Sequence, residues 1–292
     1  MVRTCLKRVG RLACIALAGY GCLGGVAAEP VPPPAPGTAP LWEVGLFNAA
    51  ASVPDYRGSD ERTLYVLPVP YLIYRGELLQ ANRDGVRGIF YKGSRVETSL
   101  SFSGNPPVSN GNAARAGMPQ LGPVLEAGPA LRYYLYREGV DEKLYLQAAV
   151  RGAASFDIHN LHPSYEGLRG GLSLVLEDFR LRPASTWRFG LAAGVDFSEA
   201  RYNNYFYEVT ADQVQPDRSE FHSAGGYSGF SCSAYTIWDL TPHFSWTFYT
   251  RWDNLDGAVY VESPLVRERN NFVVGTAIIW TLWESETYVH AH

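Results

Sequence analysis

Residues with chemical potential are few in this chain and widely spaced. Ser173, Asp196 and His222 are the types of a nucleophile, an orienting carboxylate and a general base. Such a set works only when serine touches base and base touches acid. The alternation described below puts them on poorly aligned strands and one loop, so the sequence expects no catalytic residue and no enzyme. Asp55, Asp60 and Glu61 offer carboxylates to a hard cation such as calcium. Their spacing is not that of an EF-hand, and Pro54, Asp55, Gly58 and Ser59 are turn formers, so a structural turn is the expectation. His159 with His162, and His290 with His292, have metal-compatible spacing without a third ligand, whereas a stable zinc site needs three or four. No glycine-rich phosphate loop follows a strand and opens a helix. Neither a metal nor a cofactor is expected.

A second group of charges recurs at regular places: Arg95, Glu97, Glu126, Arg132, Arg151, Arg169, Glu177, Arg188, Asp196, Arg251 and Asp253. These side chains either pair to fill a narrow lumen or stand free along a conducting channel. What positions them is a two-residue period. From Trp187 to Phe197 the odd positions are Trp, Phe, Leu, Ala, Val and Phe, and the even ones include Arg188, Gly190, Gly194 and Asp196. Leu125, Ala127, Leu131, Tyr133 and Leu135 alternate with Glu126, Gly128, Arg132 and Tyr134 in the same way. Only a sheet keeps each set on one face.

These stretches are longer than the ~5 to 6 residues of an ordinary soluble strand and reach the ~9 to 11 of a tilted membrane strand. Closure follows, because lipid offers no partner to an unpaired N–H or C=O at a sheet edge. The fold class expected is all-β, a transmembrane antiparallel β-barrel, with a soluble sandwich as the competing architecture. Twelve strands are expected near 41–50, 63–74, 77–82, 86–92, 94–103, 123–136, 142–153, 165–180, 185–198, 224–237, 241–254 and 270–283. Ten remain if residues 77–94 form a separate hairpin. Even strands end in short turns, while odd strands lead into the long segments 51–62, 104–122, 154–164, 199–223 and 255–269, with only 83–85 short. Short periplasmic turns and long external loops have that parity.

The ends of the chain indicate export. Arg3, Lys7, Arg8 and Arg11 precede an apolar run to Ala28, and Val26-Ala27-Ala28 has the small-residue form of a cleavage site. Residues 1–28 are therefore read as a signal peptide; a single anchor, or a lipid-modified Cys22, are the competing readings. Cleavage would leave 21 basic against 29 acidic side chains, a net of −8, and no long basic block to bind nucleic acid. Cys232 would be the one cysteine left, which excludes an internal disulfide. Residues 29–40, with six prolines, read as an extended periplasmic leader. The barrel is expected over 41–283 and a polar tail over 284–292. Charged residues make up 18% of the chain, below the ~25% of an ordinary soluble domain, as suits outer-membrane lipids as neighbours.

Several phrases are not explained by period alone. Pro54-Asp-Tyr-Arg-Gly-Ser-Asp60, Pro68-Val-Pro-Tyr-Leu-Ile-Tyr-Arg-Gly76 and Arg83-Asp-Gly85 come first. Asn105-Pro-Pro-Val-Ser-Asn110, Ala114-Arg-Ala-Gly-Met-Pro-Gln-Leu121 and Glu126-Ala-Gly-Pro129 follow in order. Together they resemble the MipA/OmpV family of outer-membrane proteins, over Trp42 to about Trp280. The chain departs from members that close on an aromatic residue by continuing from Trp283 through Glu284 to His292. The resemblance implies a non-enzymatic envelope scaffold. Its implied partners are a lytic transglycosylase and a murein synthase, and it brings no catalytic set. The polar inner face and acidic balance support an alternative, a narrow porin or solute channel.

Overall fold

A computed structural model describes residues 38–75, 79–82, 85–108, 111–138, 142–157, 162–181 and 185–290. The expected signal peptide, most of the leader, Arg83, Asp84, His159 and His292 lie outside the described residues. The strands are β1 (Thr38–Pro40), β2 (Trp42–Pro54), β3 (Arg62–Arg75), β4 (Leu79–Asn82) and β5 (Gly85–Lys92). They continue as β6 (Val96–Asn105), β7 (Val124–Glu138), β8 (Glu142–Phe156), β9 (Pro163–Phe179) and β10 (Trp187–Ser198). A helix, α1 (Ala200–Tyr207), precedes β11 (Gly226–Thr241), β12 (Phe244–Asn254), β13 (Asn270–Glu284) and β14 (Tyr288–His290). Strands β2 to β13 form one closed antiparallel barrel in which each pairs with its sequence neighbours, and β13 returns to β2. That closing ladder runs from Val274–Ser52 to Glu284–Glu43.

Alternation of side chains sets the two faces. Along β7, Leu125, Leu131 and Leu135 are 59%, 46% and 52% exposed, while Glu126, Arg132 and Tyr134 between them are 0%, 8% and 4% exposed. The apolar set thus points outward and the charged set inward, the reverse of a soluble sandwich. At the short-turn end the outward set is aromatic. Trp187 pairs across with Trp238, Trp238 with Trp246, Phe244 with Trp280, and Trp42 with Tyr74. Trp283 completes this girdle, against the simple period that puts it opposite Trp280. A bulge between Thr281 and Trp283 pairs Trp283 with Val44, on the same face as Leu46 and its partner Trp280.

The described parts of the connections after β2, β6, β10 and β12 leave the other end and do not stay extended; of the expected segment 154–164, residues 154–156 and 163–164 belong to β8 and β9, and 158–161 lie outside the described residues. These connections bury Tyr56, Val108, Leu121, Val124, Tyr202, Phe206, Tyr207, Val209, Leu255, Tyr260 and Leu265 in one cluster. The lumen face mixes charged pairs with Ile73, Ile237, Ala277 and Ile279, while this apolar cluster lies largely in the loops. Beyond the barrel, β1 and β14 form a two-stranded sheet, with Thr38–His290, Ala39–Val289 and Pro40–Tyr288 in register.

One part of the wall is thin. Residues 79–82 and 85–92 enter it as β4 and β5, but β4 meets β3 only at Tyr74–Ala81 and Arg75–Gln80. β5 meets β6 only through Ile89–Ser99, Tyr91–Thr98 and Lys92–Glu97.

The β13–β2 ladder yields a direct test. Deleting residues 285–292 removes β14 but leaves the closing pairs, and heat-modifiable gel migration and protease protection are expected to persist. Deleting 271–292 strips β2 of its partner and is expected to abolish both.

Candidate functional site

The inward charges form a paired layer beneath the loop cap. Asp196 on β10 receives Arg169 Nη2 of β9 at 3.0 Å, and Arg169 Nη1 lies 3.3 Å from Glu126 Oε1 on β7. Glu126 also accepts the Tyr202 hydroxyl of α1 at 2.7 Å. On β12, Arg251 Nη2 lies 2.7 Å from Asp253 Oδ1. Arg57, from the loop between β2 and β3, joins the two groups: its Nη1 is 3.2 Å from Asp196 Oδ2 and its Nη2 is 3.0 Å from Asp253 Oδ1. A loop cation therefore latches two wall strands, β10 and β12, which flank β11 in the barrel.

Nearer the short-turn end, Arg188 donates through Nε and Nη2 to the two carboxylate oxygens of Asp239, both at 3.0 Å. Arg132 lies 3.8 Å from Glu97, donates to Gln147 at 2.9 Å, and sits 4.9 Å from the Tyr145 ring centre. These lumen charges pair with one another, the form that offsets the cost of burying charge.

Above this layer, phenols and backbone carbonyls lock the cap. Tyr207 stacks on Tyr260 with ring centres 3.9 Å apart, and its hydroxyl donates to the Arg57 carbonyl at 2.8 Å. Tyr56 donates to the Leu265 carbonyl at 2.8 Å, and Asn271 Nδ2 to the Ser59 carbonyl at 3.0 Å. Burial pushes the Tyr56 phenol up to about 12, and it raises Tyr207 and Tyr260 as well, so all three remain neutral donors. The chain reverses after Arg57 at Gly58, whose φ of +96° favours glycine. An added Cβ there would also meet Val266 at 3.1 Å and Leu255 at 3.2 Å. Arg115 donates to the Phe206 carbonyl at the end of α1, and Arg218 to the carbonyls of Ala114, Ala116 and Gln213.

The residues singled out by chemistry are not brought together. Asp196 is held by Arg57 and Arg169. His222 lies exposed in the loop after α1, bonded to Glu208 at 2.7 Å and Glu220 at 3.4 Å. Ser173 sits in β9 opposite Gln147 and Gly194. Asp55 accepts Thr63 Oγ1 at 2.7 Å and Asn112 Nδ2 at 3.0 Å, Glu61 accepts the Ala113 amide, and Asp60 is exposed. These carboxylates brace a turn. His162 accepts the Asp157 amide through its carbonyl, and His290 pairs in β14. Among the charges expected inward, Arg151 donates to Ser101 and Glu177 lies opposite Lys143. Arg95 is the exception: β6 starts at Val96, which leaves Arg95 exposed in the turn. Arg57 is the residue that sequence reading missed. It lies within a phrase read as a turn, and strand period carries no information on where a loop side chain points.

Three measurements follow. Arg57→Ala is expected to lower unfolding stability by about 3 kcal/mol in a urea titration, the lower part of the range for breaking a buried ion pair. Asp196 and Asp253 keep Arg169 and Arg251, which limits the loss. The same variant is expected to add single-channel steps to an otherwise silent barrel in a planar bilayer. For His222, hydrogen bonds to Glu208 and then Glu220 raise its titration above the ordinary histidine value. A raised folded value means that its contribution to stability is complete below the unfolded value and lost as pH rises through the folded one. Imidazole NMR shifts are expected to titrate above the ordinary value, and Glu208→Gln to move that titration down.

Comparison with known proteins gives a consistent picture. A stretch of 94 residues, 30% of this chain, is 30% identical to outer membrane protein Omp26La of Vibrio anguillarum and spans 34% of that relative. Among solved structures, OprG of Pseudomonas aeruginosa aligns at 10% identity over 84% of this chain and 95% of its own, with a TM-score of 0.24. OpdO of the same organism aligns at 10% identity over 83% and 97%, with a TM-score of 0.26. Scores this low leave the architecture to rest on the strand pairing itself. The family described as MltA-interacting protein MipA matches residues 44–282, from the first barrel strand to the last. This chain belongs to the MipA family.

Proposed function

We propose that this protein is a scaffold of the cell envelope that docks a murein hydrolase of the lytic transglycosylase class, together with a murein synthase, at its periplasmic end. It is an outer-membrane protein with a non-catalytic role. In this reading residues 1–28 are the export signal, residues 29–40 the leader, and the twelve strands cross the bilayer. The apolar belt and the girdle of Trp42, Trp187, Trp238, Trp246 and Trp280 support that orientation, since aromatic rings favour the membrane interface. The short-turn end, from which both termini leave the barrel, then faces the murein layer.

The observation that carries the scaffold reading is that the lumen charges pair with one another. Arg57 joins Asp196 and Asp253, and Arg188–Asp239 and Arg132–Glu97 pair nearer the turns. A barrel whose inner charges are partnered in this way offers its ends to other molecules. The family description names interaction with MltA, and the transglycosylase is the partner chosen on that ground. The competing reading as a narrow channel draws on the same charges and requires the Arg57 latch to open.

A photo-crosslinker placed within Glu29–Pro40, or at Pro242 in the turn between β11 and β12, tests the docking. It is expected to capture a purified lytic transglycosylase, while the same group at Asp212 in the loop cap does not. Equal capture at both ends, or none at either, would count against the scaffold.

A further inference from the structure

The thin part of the wall has a structure of its own. β2 pairs with β3 without interruption from Trp42–Tyr74 to Pro54–Arg62, and β7 pairs with the full length of β6. On their other sides, Arg62–Pro70 of β3 and Leu100–Gly104 of β6 have no ladder partner among the described residues, because β4 and β5 meet them only near the short-turn end.

Pro68 and Pro70 show independently that β3 cannot carry a continuous neighbour there. Proline has no N–H, so within a sheet it fits only where that group would point away from a paired strand. The ladder to β2 passes through Asn48–Pro68 and Leu46–Pro70 unbroken. Both prolines must therefore direct their missing donors toward the β4 side. The same rule operates at Pro129 of β7: its pairing with Leu100 of β6 is intact, while the ladder to β8 skips from Ala127–Gly152 to Ala130–Ala149.

Side chains on both faces beside the gap are exposed. Leu64, Val66 and Phe102 on the outer face are 69%, 67% and 48% exposed. Leu67 points to the lumen, opposite Ala49, and is 53% exposed, against 38% for Tyr249 and 6% and 4% for Ala277 and Ile279 on the lumen face of unbroken wall. At the loop end the gap is bridged by the Tyr65 hydroxyl, which donates to the Pro107 carbonyl at 3.3 Å. The β4–β5 hairpin bounds it below.

We propose that this gap is a lateral window by which a membrane-resident amphiphile with a hydrocarbon chain reaches the lumen side of β3. The outer rim is continuous with the apolar belt, so hydrocarbon is what lies against it. The prolines leave the rim of β3 with more carbonyl acceptors than N–H donors, which favours a polar end that donates, such as a hydroxyl or an amide. A backbone edge in this setting needs either water from the lumen or such a ligand to satisfy it. The window rests on the reading of the belt as lipid-facing.

The full chain in phosphatidylcholine vesicles carrying a long-chain alcohol with a diazirine in its hydrocarbon chain, with adducts located by mass spectrometry, tests both. Adducts are expected at Leu191 on the belt and at Leu67, with Leu67 at least ten-fold above Thr247 on the lumen face of unbroken wall. Labelling at Leu191 without Leu67 would overturn the window and leave the belt standing. Absence at Leu191 would overturn the belt itself. Equal labelling of Leu67 and Thr247 would show entry by another route and also overturn the window. In the Pro68→Val/Pro70→Val variant, restored donors allow β3 and β6 to pair, and the Leu67 adduct is expected to fall several-fold; unchanged labelling would remove the prolines from the account.

Discussion

Everything in this protein follows from the need to give each backbone N–H and C=O a partner where water is scarce. A sheet meets that need only by closing on itself, and here the closure is the ladder between β13 and β2. Once the ends are joined, side-chain alternation divides the chain into an outer and an inner population. The outer one can be apolar without limit, as Leu64, Leu125 and Leu191 are. The inner one carries the charges, which meet one another inside the barrel.

A need for partners likewise explains the arrangement of arginines and carboxylates. A charge in a confined lumen is costly alone and tolerable in a network with good geometry. Arg169 serves both Glu126 and Asp196, and Asp253 serves both Arg57 and Arg251. The network in turn determines what the loops can do. By contributing Arg57, the first long loop is tied to β10 and β12, and Tyr207 of α1 holds the Arg57 carbonyl from above. The apolar cluster of the cap is thereby seated on a charged floor, and its burial stabilises the latch that anchors it.

How much of this was legible in the sequence depends on whether the signal was periodic. Strand β7 could be read residue by residue, because Leu125 to Leu135 alternate without a break. The inward placement of the charges on β9, β10 and β12 was legible for the same reason, whereas their pairing was left open by it. Trp283 was misplaced because a bulge adds a residue that the period cannot announce, and Arg95 because the strand begins two residues later than expected, at Val96. Arg57 and the cap were hidden, since loops follow tertiary contacts and Pro54 to Asp60 reads only as turn chemistry. Pro68 and Pro70 were visible as part of a family phrase. Their physical meaning, an edge inside a closed wall, emerges only when β2 is seen to take the other side.

The pairing of Glu43 with Glu284 also has a kinetic side. Most ladders in the barrel join strands adjacent in sequence, such as Glu138 with Glu142 at the β7–β8 turn. The closing ladder joins positions 241 residues apart, and the entropy of bringing such distant segments together exceeds that of the hairpin by roughly 4 kcal/mol. Hairpins can therefore form early and locally, while the first strand waits for the last. During that interval both edges are open to any strand nearby, so the chain is most exposed to mispairing just before it is complete.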